Sequence, residues 1–273
     1  EEKLACVQAR LTIDNTADSW LTRLFTAEYA GLFDVFLPGL AAWRMPLPLG
    51  GTSNHFHTPT LRALGGWDPY NVTEDADLGI RLARAGYHTT LVQSSTYEEA
   101  PACLMPWIRQ RTRWFKGYLQ TWAVHMRRPA ALWRELGPGG FVVFQLVVGG
   151  AVLAALVHGV FFGVLAGQLA SGLLWSDKPG AFDQAFAGLY FTTLTTGYLL
   201  SALLGFIGLS RRRLLPSAVY LVLLPFYWLL LSVAAWRAVF QLIWSPYRWE
   251  KTEHGLARTS RQSSAEGSVP NLP

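Results

Sequence analysis

The sequence predicts an α/β domain followed by transmembrane α-helices. Apolar residues make up 51% of the 273 residues and charged residues only 15%, against about 25% in an ordinary soluble protein. Residues 1–135 hold most of the carboxylates, whereas residues 141–244 are mostly apolar. The chain therefore divides into a mixed polar half and a half that is apolar enough for a bilayer.

The polar half opens with a strand, because apolar and polar residues alternate over Leu4–Ile13. A domain that begins in mid-strand suggests a fragment of a longer protein. A polar loop at residues 49–56, LGGTSNHF, precedes a short helix at residues 59–64. Paired glycines let a backbone approach a ligand closely. His55 and His57 flank Phe56 without a third metal ligand of suitable spacing, so we expect no metal there.

Residues 73–87, TEDADLGIRLARAGY, predict a helix that Thr73 or Asp75 caps and that Gly86 ends. The carboxylates of Glu74, Asp75 and Asp77 fall within a single turn. A helix N-terminus favours negative charge, but one cap needs only one such residue. On these residues alone, helix capping and catalysis both remain open.

A second helix carries the sequence WIRQRTRWFKGY, residues 107–118. At about 100° per residue it has one broad apolar face. Gln110, Arg113 and Trp114 lie along one edge of this face, and Gly117 beside them would let a ligand come close. The face itself is typical of a helix at the membrane interface. The edge suits another role, because Arg can clamp a diphosphate and an indole can stack on a sugar ring.

The apolar half contains two uncharged or nearly uncharged runs, residues 141–170 and 188–210, each longer than the roughly 20 residues that span a bilayer. Residues 214–235 form a third candidate, which is either a hairpin hinged near Pro225 or a span followed by an interfacial stretch at residues 236–244. Arginines flank the first two spans and place residues 1–135 in the cytoplasm; they are Arg127, Arg128, Arg134, Arg211, Arg212 and Arg213.

Net charge and cysteine content exclude some functions. The net charge of +5 comes without a nucleic-acid motif, so we expect no nucleic-acid partner. Cys6 and Cys103 both fall in the cytoplasmic half, where no disulfide is expected.

Three motifs in this order resemble the processive family-2 glycosyltransferases, the group of cellulose, hyaluronan and chitin synthases. They are GTS at residues 51–53, TED at residues 73–75 and QRTRW at residues 110–114, followed by the apolar spans. The similarity is nearest to cellulose-synthase-like bacterial exopolysaccharide synthases. A looser match to the gating-loop motif of that family involves Trp249, Lys251, Thr252 and His254.

The resemblance implies a partial GT-A-type domain and a division of the chain into five parts. These are the acceptor-side part of the domain (1–106), an amphipathic interfacial region (107–135), transmembrane helices with an interfacial helix (141–244), a gating-like segment (245–257) and a disordered tail (258–273). It also implies a multi-pass protein of the bacterial inner membrane with its catalytic part in the cytoplasm.

The resemblance implies roles for individual residues. Asp75 would be the general base, Arg113 would stabilise the leaving diphosphate, and Trp114 would stack on the acceptor sugar. Arg111 would add charge near the phosphates or extend to lipid headgroups. Further substrate contacts are implied for Thr73, Glu74, Gln110, Gly51, Thr52 and Ser53.

The implied reaction is inverting transfer of a hexose or N-acetylhexosamine from a UDP-sugar to a growing β-glycan, with the bilayer and export subunits as further partners. The family's D-x-D metal motif does not occur before Asp75. The ligands of a Mg²⁺ or Mn²⁺ ion, and the donor site, are therefore expected outside this chain, which alone would be inactive. Two alternatives stay open, a non-processive transferase acting on a lipid-linked sugar and a non-catalytic export subunit.

Overall fold

Strand β1 (Leu4–Ile13) is the central strand of a three-stranded mixed sheet in the computed structural model, which describes residues 3–172, 180–246, 250 and 257–259. Strand β2 (Asn54–Phe56) pairs with β1 antiparallel, and β3 (His88–Glu98) pairs with it parallel on the other side. The strand predicted from the alternation at the start of the chain is confirmed. The parallel pair requires a crossover, and the intervening residues supply the helix that carries Asp75, whereas the helix that carries Arg113 follows β3.

Helix α1 (Trp20–Gly31) begins at a capping box, in which the Ser19 Oγ accepts from the Thr22 amide and Thr22 Oγ1 accepts from the Ser19 amide. It continues through a π-helical turn, Leu32–Phe36, into α2 (Leu37–Ala42). The combined helix is long and apolar enough to cross a membrane, and 56% of its apolar window is buried inside the protein. This segment lies in the half predicted to be polar, and its residue pattern alone did not indicate an apolar helix.

Three further helices complete the polar half. They are α3 (Thr58–Ala63), α4 (Glu74–Arg84) and α5 (Leu104–His125). Helix α4 is confirmed with its predicted end, since Gly86 follows it with a φ of 82°, a value that suits glycine. Helix α5 lies along the last helix that the structure describes, Leu224–Trp244, so part of its apolar face packs on protein rather than on lipid headgroups.

The apolar half begins earlier than predicted. Helix α6 (Pro129–Phe144) kinks at Gly137 and leads through a π-helical turn, Gln145–Gly149, into α7 (Gly150–Ala170). Helix α8 (Ala181–Arg211) follows. The predicted interfacial region at residues 107–135 is therefore two helices, α5 and the first turns of α6.

A 3₁₀ segment, Leu215–Leu223, leads into α9 (Leu224–Trp244). Pro225 occupies the first turn of α9, where a missing amide costs no hydrogen bond. The predicted hairpin near Pro225 is therefore wrong, and residues 236–244 continue α9. Among the described residues, four helical segments are long and apolar enough to cross a membrane, at Trp20–Ala42, Pro129–Ala170, Asp183–Arg211 and Leu215–Trp244.

Ion pairs connect the sheet to the apolar helices. Asp34, in the π-helical turn, accepts from Arg212 with an Nε–Oδ2 distance of 2.6 Å, and Arg10 of β1 lies 3.7 Å from the same carboxylate. Arg212 also donates to the carbonyl of Leu11 at 2.9 Å. Part of the arginine cluster that follows the second predicted span thus fixes the end of α8 against the sheet.

Candidate active site

Asp75 lies in the first turn of α4, beside the glycine-rich loop. Its Oδ1 accepts from the Ala76 amide at 2.8 Å, and a Cβ on Gly51 would lie 3.1 Å from its Oδ2. Thr73 occupies the N-cap position, but its hydroxyl caps no amide of the helix. Asn71, which the sequence analysis did not single out, accepts from the Thr73 amide at 3.0 Å and fixes the start of the helix.

Burial raises the pKa of Asp75 to about 6, and the negative charge of Glu74 acts in the same direction. The Ala76 amide and Arg113 oppose this rise. A helix N-terminus favours the ionised form of this carboxyl, but burial has the larger effect on its pKa. Asp75 is still mostly ionised at neutral pH, and a carboxylate with such a pKa is suited to accept a proton.

Gln110 and Arg113 of α5 lie one turn apart on one side of the helix, and Arg113 is close enough to Asp75 to affect its pKa. Gln110 is buried, and neither its Oε1 nor the Nε of Arg113 makes a hydrogen bond within the described part of the chain. Burial lowers the pKa of Arg113, whereas the carboxylates of Asp75 and Glu74 raise it, and the effect of burial is the larger. The carboxylate of Asp75 and the cation of Arg113, which has an unused donor among the described residues, therefore lie close enough to interact electrostatically.

Trp114 is half-buried against α1. The ring of Tyr29 stacks on it at an interplanar angle of 24°, with centroids 6.2 Å apart, and Phe25 lies at 6.0 Å. The indole predicted to carry a sugar is therefore supported from the interior by aromatic side chains.

A family model described as glycosyl transferase family group 2 matches residues 1–244. The chain belongs to this family. The match includes the helix of Asp75, the helix of Arg113 and the apolar helices, so the three predicted motifs lie within one recognised region.

Two curated relatives match parts of this glycosyltransferase. A probable glycosyltransferase YdaM of Bacillus subtilis (strain 168) is 31% identical over 118 residues, which are 43% of this chain and 28% of the relative. A probable glucomannan 4-beta-mannosyltransferase 6 of Oryza sativa subsp. japonica is 23% identical over 169 residues, which are 60% of this chain and 29% of the relative. The matched regions span less than a third of the length of either relative.

The three residues of the GTS loop, 51–53, contact two different parts of the protein. Gly51 faces Asp75, whereas Thr52 Oγ1 donates to Glu98 Oε1 at 2.9 Å and Ser53 Oγ lies 2.5 Å from Thr96 Oγ1. The side chains of Thr52 and Ser53 therefore connect the loop to β3 rather than to Asp75.

Gln8 of β1 also holds this loop, since its Oε1 accepts from the Gly50 amide at 3.2 Å. Its side chain is fully buried. The alternation on β1 predicted the strand, but no local signal linked Gln8 to the loop.

Arg111 does not occupy either of its expected positions. It is buried and forms a two-bond ion pair with Glu28 of α1, with both N–O distances at 2.6 Å. The expectation that Arg111 contacts phosphate or lipid headgroups is wrong. Glu28 of α1 supplies a carboxylate partner that the sequence around Arg111 does not reveal.

Gly117 also has a different neighbour from the expected one. A Cβ at this position would lie 2.1 Å from the Oγ1 of Thr73. The space beside Gly117 is therefore taken by the start of α4 and not by a ligand.

Asp77 does not form a metal site with Asp75. Its Oδ1 lies 3.0 Å from the Nε2 of His125, and its Oδ2 accepts from Arg81 Nε at 2.7 Å. Burial alone would raise the pKa of Asp77, but His125 and Arg81 together hold it below its usual value. The carboxylate is thus fully used within the protein, and no group of three candidate metal ligands occurs among the described residues.

The gating-like residues Trp249, Lys251, Thr252 and His254 lie outside the described residues. The segment that leads to them contacts α5, since Lys116 donates to the carbonyl of Ser245 at 3.0 Å and Gln120 to that of Pro246 at 3.3 Å. Gln120 also accepts from the Val72 amide at 3.2 Å. One side chain of α5 therefore contacts both the loop before Asp75 and the segment after α9.

The predicted disorder of the tail does not hold at its first residues. The Arg258 amide and the Thr259 hydroxyl donate to the carboxylate of Asp18, at 3.0 and 2.7 Å. The rest of the tail lies outside the described residues.

Proposed function

We propose that this glycosyltransferase provides the acceptor side of an inverting sugar transfer at the cytoplasmic face of a bacterial inner membrane. A hexose or N-acetylhexosamine passes from a UDP-sugar to a growing β-glycan, and the apolar helices cross the bilayer. The observation that supports this most is the partly buried carboxylate of Asp75, which lies beside Gly51 and within electrostatic reach of Arg113.

The proposed step is a single displacement. Asp75 accepts the proton of an acceptor hydroxyl while that oxygen forms a bond to the anomeric carbon of the donor. The bond from this carbon to the diphosphate of UDP breaks on the opposite face, so the configuration inverts. The negative charge that develops on the leaving diphosphate is stabilised by the Arg113 guanidinium, whose Nε makes no other hydrogen bond among the described residues.

Acceptor binding is assigned to α5 and the loop. Trp114 stacks on a sugar ring, and the unpaired Oε1 of Gln110 accepts from a hydroxyl. Gly51 has no side chain, which leaves space at the Oδ2 of Asp75 for the acceptor oxygen. Glu74 is exposed beside this space and Thr73 begins the helix.

The donor is bound by residues beyond these 273, and so is the Mg²⁺ or Mn²⁺ ion that would neutralise its phosphates. Asp75 and Asp77 do not fit such an ion, because Asp77 is paired with His125 and Arg81. UDP-glucose is our first choice of donor and UDP-N-acetylglucosamine the second.

The test uses membranes that contain the full-length parent protein, labelled donor and Mg²⁺. Asp75→Asn keeps the shape of the side chain but removes the base, and we expect label incorporation to fall by about 10²-fold or more. Asp183→Asn makes the same change at an exposed position of α8 and should leave incorporation unchanged. Full activity of Asp75→Asn would refute the assignment of the base, and an inactive wild type with every donor would favour a non-catalytic export subunit.

A second candidate is transfer of one sugar to a lipid-linked acceptor, and one observation favours it. A groove of about 810 Å³ runs between α7 and α9 and is lined mainly by apolar side chains, among them Val160, Leu229, Val233, Trp236, Phe240 and Trp244. An apolar groove suits a lipid chain better than a glycan, whose hydroxyls need partners. The groove reaches Ser245, whose carbonyl accepts from Lys116 of α5. Product length separates the candidates, because this route stops after one sugar.

A further inference from the structure

Arg111 connects three helices through one ion cluster, in which the guanidinium is buried and the Glu28 carboxylate is partly exposed. The Arg111 side chain is only 5% exposed. Besides the two bonds to Glu28 of α1, Arg111 donates to the hydroxyl of Tyr227 of α9 at 3.0 Å, and this hydroxyl donates to Glu28 at 2.5 Å. The cluster of Glu28, Arg111 and Tyr227, called the clamp below, therefore joins α1, α5 and α9.

The same guanidinium lies between aromatic rings. Its Cζ is 4.5 Å from the ring centroid of Trp114 and 4.4 Å from that of Phe25. A planar guanidinium stacks on aromatic faces while it also holds a carboxylate with two parallel bonds, which a lysine ammonium does not do. The clamp thus fixes both the position and the plane of the group that covers Trp114.

Stability alone is a weak reason for a clamp of this kind. Burying the Arg111 guanidinium costs desolvation free energy, and well-packed apolar replacements of buried ion pairs are often equally stable or more stable. A fixed geometry is an alternative reason. Trp114 is only half-buried, so without the guanidinium its indole would be less constrained on the side that faces α1. A sugar that stacks on Trp114 has to use the part of the indole that neither Arg111 nor Tyr29 covers.

We propose that Arg111, held by Glu28 and Tyr227, is a positioning residue that fixes the plane of Trp114 for stacking of the acceptor sugar. The inference rests on the proposed function, since it needs Trp114 to contact the acceptor. Because Tyr227 lies on α9, the clamp also ties the acceptor position to a helix of the apolar half.

The first test is Arg111→Lys in the full-length parent protein. Lysine keeps the charge that Glu28 needs but loses the planar contact with Trp114. With a β-1,4-linked glucose tetrasaccharide as the acceptor probe, or the mannose tetrasaccharide if wild type does not use glucose, we expect the acceptor KM to rise about tenfold. The donor KM should stay within about twofold. Arg109→Lys makes the same change at an exposed position of α5 and serves as the control.

The second variant, Glu28→Leu with Arg111→Met, removes both charges together and leaves none unpaired. We expect it to keep a cooperative thermal transition in detergent and to show the same rise in acceptor KM. A wild-type acceptor KM in Arg111→Lys, or in the folded double variant, would overturn the inference. Loss of the folded transition in both variants would also overturn it, in favour of a purely structural role.

Trp114→Ala separates a failure of this inference from a failure of the proposed function. If Trp114→Ala leaves the acceptor KM unchanged, Trp114 does not bind the acceptor and that part of the proposed function fails. If Trp114→Ala raises the acceptor KM and Arg111→Lys does not, only the positioning role of Arg111 fails.

Discussion

Gly117 of α5 packs directly against Thr73, the residue at which α4 begins. A Cβ on Gly117 would lie 2.1 Å from the Oγ1 and 2.6 Å from the Cβ of Thr73. Arg113 lies one turn before this contact on α5, and Asp75 lies two residues after it on α4. The spacing between the candidate base and the candidate diphosphate ligand therefore depends on the absence of a side chain at position 117.

We expect Gly117→Ala to lower kcat about 100-fold while the protein still folds. The added methyl displaces the start of α4, and a shift of about 1 Å at a reacting group can have an effect of this size. Alanine itself favours a helix by about 1 kcal/mol over glycine. Gly167→Ala is the control, because a Cβ there meets no atom of the described residues within 4 Å. A wild-type kcat for Gly117→Ala would show that this contact does not set the geometry.

The pH dependence of transfer should follow the ionisation of Asp75. With the pKa of Asp75 at about 6, the ionised fraction falls to about a tenth at pH 5. We therefore expect kcat/KM to rise with pH through about 6 and to level off near pH 7. Initial rates between pH 5 and pH 8 measure this, and a flat profile over that range would exclude Asp75 as the base.

Asp75→Asn should stabilise the protein at neutral pH although it removes activity. The folded pKa of Asp75 is raised above the ordinary value of 3.8, so its contribution to stability is complete below about 4 and is lost as the pH rises through about 6. A tenfold change in a proton affinity corresponds to about 1.4 kcal/mol, and we expect a gain on the order of 1–3 kcal/mol at pH 7.5. The gain should shrink at pH 5, which thermal unfolding at the two pH values would show.

Asp77→Asn, two residues away, should destabilise the protein at neutral pH. The folded pKa of Asp77 is lowered, so its contribution is present above the unfolded value near 4 and is lost as the pH falls through the folded value. Asparagine would leave Arg81 without its ion pair beside the buried His125, and breaking a buried pair costs about 3–5 kcal/mol. Equal unfolding temperatures for the two asparagine variants at pH 7.5 would contradict at least one of the two assignments, and comparison of each variant with wild type would show which.

Local patterns were sufficient to predict the parts of the fold that local forces determine. Strand β1 was predicted from its alternating residues, and α4 from its acidic first turn and from Gly86 after its end. Each of these signals reflects the conformational preference of residues that are close in sequence. The apolar helix at Trp20–Ala42 was missed because Glu28 and Asp34 interrupt it. Their partners, Arg111 and Arg212, lie far along the chain.

The candidate site was also predictable only where a feature depends on one helix alone. Helical spacing placed Gln110, Arg113 and Trp114 on one edge, but it did not indicate which side chains cover the neighbouring positions. Arg111 and Gly117 were misassigned for that reason, since their partners come from α1 and from the start of α4. Such contacts depend on how whole helices pack, which the periodicity of one helix does not encode.

The crossing of α1 and α8 depends on the absence of a side chain at Gly208. A Cβ there would lie 2.3 Å from the backbone carbon of Ala30 and 2.4 Å from the backbone nitrogen of Gly31. Close backbone contact at small residues is a common way for apolar helices to associate. Because the clash is with backbone, no side-chain rotation relieves it, and a larger residue would have to move the whole helix.

We therefore expect Gly208→Leu to lower the free energy of unfolding by about 3 kcal/mol, the upper part of the range for overpacked cores. Displacing α8 at this point also strains the ion pair of Arg212 with Asp34, one turn further along. Gly197→Leu tests the same substitution on the same helix, at a position where a Cβ meets nothing within 4 Å in the part of the chain that the structure describes. Thermal unfolding in detergent should separate the two variants clearly. If Gly208→Leu unfolds at the same temperature as Gly197→Leu, α1 and α8 do not cross at these glycines, and the apolar helix at Trp20–Ala42 must pack elsewhere.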